Sequence, residues 1–214
     1  MITTEELIKR VRCLINETED DSGVSLITDD TRSIDDTIVR LMPQAVGIVQ
    51  KQRNGRYVNV KSLKPGDVAL GETPEGFKVL ALPGDFTDLV SVRLASWKTS
   101  CIGMSSPDCV ELYYKLGKNS LPLSFTPVCV MDVAVDGAKV LKLFPCNDDD
   151  TAVRFVYEAE FDASEGLGMC DERMADAVAY VCAALLYNVF ERYDAANSML
   201  ALALAACSAQ AGKI

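Results

Sequence analysis

The sequence predicts an α+β fold in which N- and C-terminal helices form one helical bundle with an inserted β-sandwich or barrel-like region. Apolar residues recur with a helical period at both ends of the chain, whereas the middle contains short apolar runs separated by Pro, Gly, Asp and Asn. The terminal helical segments are too short to be stable alone. We therefore expect residues 1–50 to pack with residues 171–214, and residues 51–170 to form an inserted β-rich domain.

The first 50 residues predict two helices. Thr3 and Glu6 have the spacing of a capping box, and helix-periodic apolar residues follow them. The charged residues at 17–23 are expected to end this helix. Ser33 is the predicted N-cap of the second helix, because a serine side chain can accept from a free amide of the first turn. Pro43 lies within the apolar stripe of that helix and should kink or split it.

The middle of the chain predicts a series of short strands. Runs rich in Val, Leu, Phe and Tyr indicate strands at residues 77–82, 88–95, 98–103, 126–135, 139–144 and 152–161. Residues 107–116 favour a short helix, since a proline stands at the first turn. Strands at this spacing are typical of a small sandwich or barrel.

Two further helices are predicted at the C-terminus. Asp171 suits the start of the first, and Tyr193–Asp194 is the expected break between them. The second, at residues 194–211, is rich in alanine. Two interpretations of its apolar face are equally good: packing within the chain, or docking on a partner protein. Met and Leu side chains suit the second, because they make adaptable apolar contacts. The candidate docking residues are Met199, Leu202, Ala203, Ala206 and Ile214.

Composition argues against an enzyme. The formal net charge is −10, with 21 basic and 31 acidic residues, and there is no histidine. Histidine-dependent nucleophiles and histidine metal sites are therefore excluded. A general nucleic-acid coat is disfavoured too, because affinity for duplexes comes mainly from phosphate neutralisation. We expect no metal, no organic cofactor and no catalytic site.

The eight cysteines show no C-x-x-C spacing. We interpret them as reduced cysteines that pack as small hydrophobic residues, with a disulfide framework as the alternative. The N-terminus is polar and lacks the pattern of a signal peptide. The longest apolar run, at residues 177–187, is shorter than the roughly 20 residues needed to span a membrane, so no membrane segment is expected.

A basic stretch at residues 51–64 is the best candidate for contact with nucleic acid. It contains no acidic residue and includes a hairpin-type turn signal at Asn54–Gly55. The open interpretations are a solvated hairpin, contact with phosphates, and contact with an acidic protein. Its basic residues are Lys51, Arg53, Arg56, Lys61 and Lys64.

Two other motifs carry weaker signals. The aspartates at residues 148–150 lack the alternating ligands and glycine of a calcium loop, and we interpret them as a solvated turn. Gly166 and Gly168 are too close together for a dinucleotide fingerprint and do not follow a strand–turn–helix pattern.

Several segments resemble phage head–tail connector proteins. The stretch LALPGDFTDLVSVRLASW at residues 80–97 looks like their leucine–proline–x–aspartate–phenylalanine, strand and tryptophan segment. The segments TTEELIKRVRCLINE (residues 3–17) and TRSIDDTIVRLMPQAV (residues 31–46) resemble their two N-terminal helices. Residues 175–209 resemble their C-terminal helix pair. The order of elements is similar to the portal-binding ring adaptors of short-tailed and crAss-like phages.

This resemblance implies a structural virion protein at the head–tail junction, made in the host cytoplasm. Such a protein would form a homo-oligomeric ring, with twelve copies expected from the family, bind the portal and other tail or ring proteins, and line the channel for double-stranded DNA. An acidic wall suits this role because like charges keep DNA from sticking. The alternatives are another tail or collar ring protein, or a phage or bacterial enzyme that uses only carboxylates and lysines.

Overall fold

The computed structural model describes residues 1–15, 29–52, 56–72, 78–106, 126–134, 137–168 and 170–208. It confirms a mixed α+β fold. The chain divides into two compact units. The helical unit comprises residues 1–60 and 160–214, and the β unit comprises residues 61–159.

The described helices of the helical unit are α1 (Thr4–Leu14), α2 (Asp29–Gln52), α3 (Glu172–Val189) and α4 (Tyr193–Ser208). Helix α3 packs against the other three. One hydrophobic cluster joins them, with its fully buried side chains including Leu7 of α1, Ile38 and Met42 of α2, and Met174 and Cys182 of α3. Burial of these apolar side chains is the main stabilisation of a unit whose helices come from distant parts of the chain.

The first helix begins where the sequence predicts. The Oγ1 of Thr3 accepts from the backbone N–H of Glu6 at 3.2 Å, which is one half of a capping box. The carboxylate of Glu6 bonds Arg10 instead of reaching back, at 2.6 Å. An i,i+4 ion pair thus replaces the second half of the box.

The second helix differs from the prediction at its start. It begins at Asp29, so Ser33 lies inside the helix and is not its N-cap. Pro43 does not split the helix, which continues to Gln52. The predicted loop at residues 17–23 lies outside the described residues, and so do the Asn54–Gly55 turn and the predicted helix at 107–116.

The β unit contains strands β1 (Val60–Leu63), β2 (Leu70–Glu72), β3 (Lys78–Ala81), β4 (Phe86–Leu94), β5 (Cys101–Ile102), β6 (Val128–Val133), β7 (Lys139–Phe144) and β8 (Ala152–Ala159), with a 3-10 turn at Pro65–Asp67. Two four-stranded sheets have the orders β1-β8-β4-β5 and β2-β3-β7-β6. The β4–β8 and β6–β7 pairs are antiparallel.

Both sheets contribute to one core. Leu80, Leu141 and Leu143 of one sheet share a buried cluster with Val92 and Phe155 of the other. Inside this cluster the rings of Phe155 and Tyr157 stack with centroids 5.4 Å apart. Apolar residues of the two sheets are thus buried against each other, which fixes which face of each strand points inward.

Candidate interaction surfaces

The basic residues of the 51–64 stretch belong to different parts of the fold. Lys51 is exposed in the last turn of α2, where a cation interacts favourably with the helix dipole. Arg56 is half-buried in the helical unit, whereas Lys64 is exposed in the β unit. Arg53 lies outside the described residues. The stretch therefore begins at the end of a helix and continues into the β unit, with β1 as its strand.

Lys61 is engaged within the β unit. Its Nζ lies 2.8 Å from Oδ2 of Asp85, just before β4. The hydroxyl of Tyr157 donates to the other carboxylate oxygen of Asp85 at 3.1 Å. This carboxylate therefore links β1 to β8, and Lys61 has an acidic partner in its own chain.

The candidate docking residues of α4 fall on two sides of the helix. Ala203 is 3% exposed in the core of the helical unit, with Met199 and Ala206 partly buried against the same core. Leu202 is 45% exposed. Ile214 lies beyond the described residues. The residues that the sequence assigns to one docking face are therefore of two kinds. Some pack inside the helical unit, and Leu202 is exposed to solvent.

A larger set of exposed apolar side chains lies on α3, α4 and the turn between them. We call it the C-terminal apolar surface. Its members are between 45% and 62% exposed. Periodicity alone does not reveal them, because it marks apolar positions without showing which of them a neighbouring helix covers. They are Val189, Phe190, Tyr193, Leu202 and Leu204.

The turn that carries part of this surface is a Schellman motif. The N–H of Arg192 donates to the carbonyl of Tyr187 at 2.9 Å, and the N–H of Glu191 donates to that of Asn188 at 3.1 Å. Glu191 has a φ of 59°, a conformation for which glycine is preferred. The hydrogen bonds hold the turn in spite of this backbone strain.

The aspartate run at 148–150 has a structural role. Asp150 is buried, and its carboxylate accepts from the N–H of Ser96 at 2.9 Å, from its Oγ at 2.6 Å, and from the N–H of Asn147 at 2.8 Å. The interpretation of the whole run as a solvated turn was wrong for Asp150, because three donors replace its water. Asp148 and Asp149 are exposed.

Gly166 and Gly168 are required by close backbone approach. A Cβ on Gly166 would overlap the carbonyl oxygen of Ile2, and one on Gly168 would overlap that of Val60. Gly166 also has a φ of 74°. These contacts hold the return segment 160–168 against the N-terminus, where Ile2 and Leu167 exchange two backbone hydrogen bonds.

Arg10 of α1 joins this helix to α3 through two carboxylates of α3 and also pairs with one carboxylate of its own helix. Its guanidinium lies 2.6 Å from Glu6, 2.8 Å from Glu172 and 2.7 Å from Asp176. The hydrogen bond that Arg10 donates to the carboxylate of Glu6 is the largest of the effects that raise the pKa of Arg10. An open groove of about 380 Å³ runs beside this cluster. The i,i+4 spacing of Glu6 and Arg10 was visible in the sequence, but the pairing across helices was not.

The seven described cysteines are free. Cys182 is fully buried in the helical core, and this burial raises its pKa to about 12. Desolvation also raises the pKa of Cys170 to about 12. Both are thiols at neutral pH and behave as small apolar groups.

No three His, Cys, Asp or Glu side chains in the described ranges are grouped so that they could hold a metal ion. Among the same residues, no helix is both long and apolar enough to cross a membrane. Comparison of the sequence with models of known protein families found no match, and comparison with curated proteins also found none.

Proposed function

We propose that this chain is a structural protein of a phage virion, a connector ring that binds the portal and joins the capsid to the tail. The observation that carries the proposal is the C-terminal apolar surface. It lies on the two helices whose sequence resembles the C-terminal helix pair of head–tail connectors. A connector has a use for such a surface, because its helices contact neighbouring subunits or the portal.

The energetics favour a covered state of this surface. Phe190 and Tyr193 are both more than half exposed at the α3–α4 turn, and Leu202 and Leu204 add exposed apolar side chains on two sides of α4. Burial of apolar area contributes about 25 cal/mol per Å². Large apolar side chains that are grouped on one part of a chain are typical of protein interfaces.

The order of elements supports the same class of protein. We infer that α1–α4 form one helical bundle and that the two sheets form a sandwich inserted between α2 and α3. This is the order that the resemblance to ring adaptors implies. A closed ring of such subunits would use heterologous contacts, with one face of each subunit against a different face of the next. Twelve copies are the number expected from the resemblance.

The net negative charge of the chain is compatible with a ring whose inner wall faces passing DNA. The chain carries a formal net charge of −10. Double-stranded DNA that passes through the ring would be repelled by acidic walls, which prevents adhesion during ejection. The exposed Lys51 and Lys64 remain candidate contacts with DNA or with an acidic neighbour, whereas Lys61 is already paired with Asp85.

The direct test is native mass spectrometry of the purified full-length chain, alone and with the portal protein encoded in the same genome. We expect a ring or a portal-bound complex. The double variant Leu202→Asp/Leu204→Asp should retain its helical circular dichroism and lose that complex. Gln44→Glu is the control for added negative charge, because Gln44 is exposed on α2 and is not part of the C-terminal apolar surface.

The outcomes separate the candidates. A ring that forms but does not bind the portal would identify a tail or collar ring protein in place of a portal adaptor. A chain that stays monomeric with and without the portal would overturn the proposal. Loss of the complex in the Gln44→Glu control would show that added charge, and not the apolar surface, disrupts assembly.

A further inference from the structure

Two arginines lie directly opposite each other on adjacent strands of the β unit. Arg93 of β4 is the register partner of Arg154 in the antiparallel β4–β8 pair, and both are exposed. Their neighbours Val92, Leu94 and Phe155 are buried in the core that the two sheets share. Because successive side chains of a strand point to opposite faces, the two arginines lie on the outer face of their sheet. Directly opposite residues have Cβ atoms about 4.5–5.5 Å apart, so two positive charges share a small area.

These two arginines have no anionic partner in the described part of the chain. Arg154 makes no ion pair there, and Arg93 donates only its Nε, to the carbonyl oxygen of Trp97 at 3.2 Å. By contrast, Lys61 and Lys142 of the same unit are each paired with an aspartate. Like charges that lie directly opposite each other destabilise a strand pair. An added anion would therefore stabilise this part of the sheet.

An exposed apolar side chain lies beside the arginine pair. Ser91, two residues before Arg93 in β4, is the register partner of Ile102 in β5, and Ile102 is 77% exposed. Cys101 is buried in the shared core, so Ile102 lies on the same outer face as the arginines. We call Arg93, Arg154 and Ile102 the arginine patch. Arginine is enriched in protein interfaces, where its planar guanidinium binds a carboxylate through two parallel hydrogen bonds.

Two exposed carboxylates lie on a different part of the β unit, in the turn between β7 and β8. They belong to Asp148 and Asp149, and neither forms an ion pair with a described cation. The turn is held by the buried carboxylate of Asp150, which accepts from the N–H of Asn147 at 2.8 Å. The Nζ of Lys78 in β3 donates to the carbonyl oxygen of Asp148 at 2.6 Å. The two carboxylates are thus held beside the sheet of β3, whereas the arginine patch lies on the outer face of the other sheet.

We propose that the arginine patch binds Asp148 and Asp149 of a second copy of this chain. Since the patch and the turn lie beside different sheets, one subunit can use its patch on one neighbour and its turn on another. This is a heterologous contact, the kind that a closed ring requires. The inference rests on the proposed function and adds the residues of one contact between subunits. The net charge of −10 favours a protein partner over nucleic acid, because the rest of the chain repels phosphates.

Charge reversal on each side of the contact is the first test. Arg93→Asp/Arg154→Asp should raise the concentration at which half of the full-length chains are assembled by at least about tenfold. Asp148→Arg/Asp149→Arg should have the same effect. The chain with all four substitutions should assemble again, because opposite charges then face each other once more. Native mass spectrometry and analytical ultracentrifugation measure the assembly, with the portal protein present if the wild type requires it.

The control makes the same change in net charge at other exposed cations. Lys9→Asp/Lys139→Asp substitutes one cation on α1 and one on β7, and it should assemble as the wild type does. Loss of assembly in this control would show that net charge, and not the arginine patch, is responsible, and would overturn the inference.

Cross-linking identifies the neighbour without charge reversal, so it decides the question even if a reversed variant fails to fold. Arg93→Lys/Arg154→Lys keeps both charges and supplies amines that a carbodiimide joins to adjacent carboxylates. The variant is assembled from a mixture of isotope-labelled and unlabelled chains. We expect peptides in which position 93 or 154 of one chain is linked to Asp148 or Asp149 of another, with one half labelled and the other unlabelled.

The outcomes separate this inference from the proposed function. Rings that form equally well with Arg93→Asp/Arg154→Asp would overturn the inference and leave the proposed function standing. Failure of the fourfold variant to assemble would contradict the pairing with Asp148 and Asp149. Cross-links from positions 93 and 154 to the portal alone, or intact rings that lose only binding to duplex DNA, would overturn the choice of a second copy. A wild-type chain that never assembles would overturn both.

Discussion

The Nδ2 of Asn59 donates to the carbonyl oxygen of Glu160 at 2.9 Å, which joins the point where the chain leaves the helical unit to the point where it returns. The same side chain accepts from the N–H of Gly168 at 2.7 Å through its Oδ1. Asn59 is buried. One amide therefore satisfies a carbonyl and an N–H on the returning segment, as a buried polar group must.

We expect Asn59→Asp to lower the free energy of unfolding of the helical unit by about 2–3 kcal/mol. The substituted carboxylate can still accept from Gly168, but it cannot donate to Glu160 and faces that carbonyl with like partial charge. Urea unfolding followed by circular dichroism measures the change. Asn197→Asp at the exposed position on α4 should change stability little. Equal losses in both variants would argue against the role of Asn59.

Substitution of two glycines should have opposite effects. Gly168→Ala places a Cβ against the carbonyl oxygen of Val60 and should destabilise by about 1–3 kcal/mol. Gly47 lies within α2 with nothing near its hypothetical Cβ, and Gly47→Ala should stabilise by about 0.5–1 kcal/mol. Thermal unfolding of the two variants provides the comparison. A Gly168→Ala chain as stable as the wild type would contradict the close packing.

Glu191→Gly should stabilise the α3–α4 turn by about 1 kcal/mol, since glycine adopts a positive φ without the penalty of a Cβ. Glu191→Ala removes the same charge but keeps the Cβ, and we expect it to be nearly neutral. Chemical denaturation distinguishes the two effects. If alanine stabilises as much as glycine, the charge of Glu191 and not its backbone conformation is the cause.

Arg10→Gln should destabilise the packing of α1 on α3 by about 1 kcal/mol at low salt. The substitution leaves Glu6, Glu172 and Asp176 close together without their shared cation. Added salt screens the resulting repulsion, so the loss should shrink at 1 M NaCl, where the Debye length is about 3 Å. Lys9→Gln, at an exposed neighbouring cation, is the control and should show a smaller loss.

Alkaline pH should destabilise the helical unit through Cys182. The unfolded thiol ionises above its ordinary pKa of 9.0, whereas the folded thiol keeps its proton to about pH 12. The unfolded state therefore binds fewer protons in this window, and stability should fall by up to about 1.4 kcal/mol per pH unit. Cys182→Ala should show a shallower slope between pH 9 and 11. Parallel slopes for the two proteins would contradict this origin.

Sequence motifs and short apolar runs predicted the elements that are defined by interactions between neighbouring residues. The cap at Thr3 and the strand at residues 139–144 were predicted with their observed bounds. Strands β1 and β2 were not predicted, because four- and three-residue strands show too little alternation. Strand β1 is defined by its partner β8, which lies far away in the chain.

The candidate surfaces were harder to predict for a related reason. Met199, Leu202 and Ala203 look alike in a helical pattern, but α3 covers only part of α4. A periodic pattern shows which residues are apolar, but it does not show which of them are buried by elements from distant parts of the chain.

The bond between Asn59 and Glu160 also bears on the order in which the chain folds. Helices α2 and α3 pack together although residues 53–171 separate them. If residues 61–159 fold first, β1 and β8 become neighbours, and the flexible connection shrinks to residues 53–60 and 160–171. Loop-closure entropy depends on the logarithm of loop length, so this sixfold shortening lowers the cost of joining α2 to α3 by about 1.5 kcal/mol. Helix α3, which contacts α1, α2 and α4, then completes the core of the helical unit.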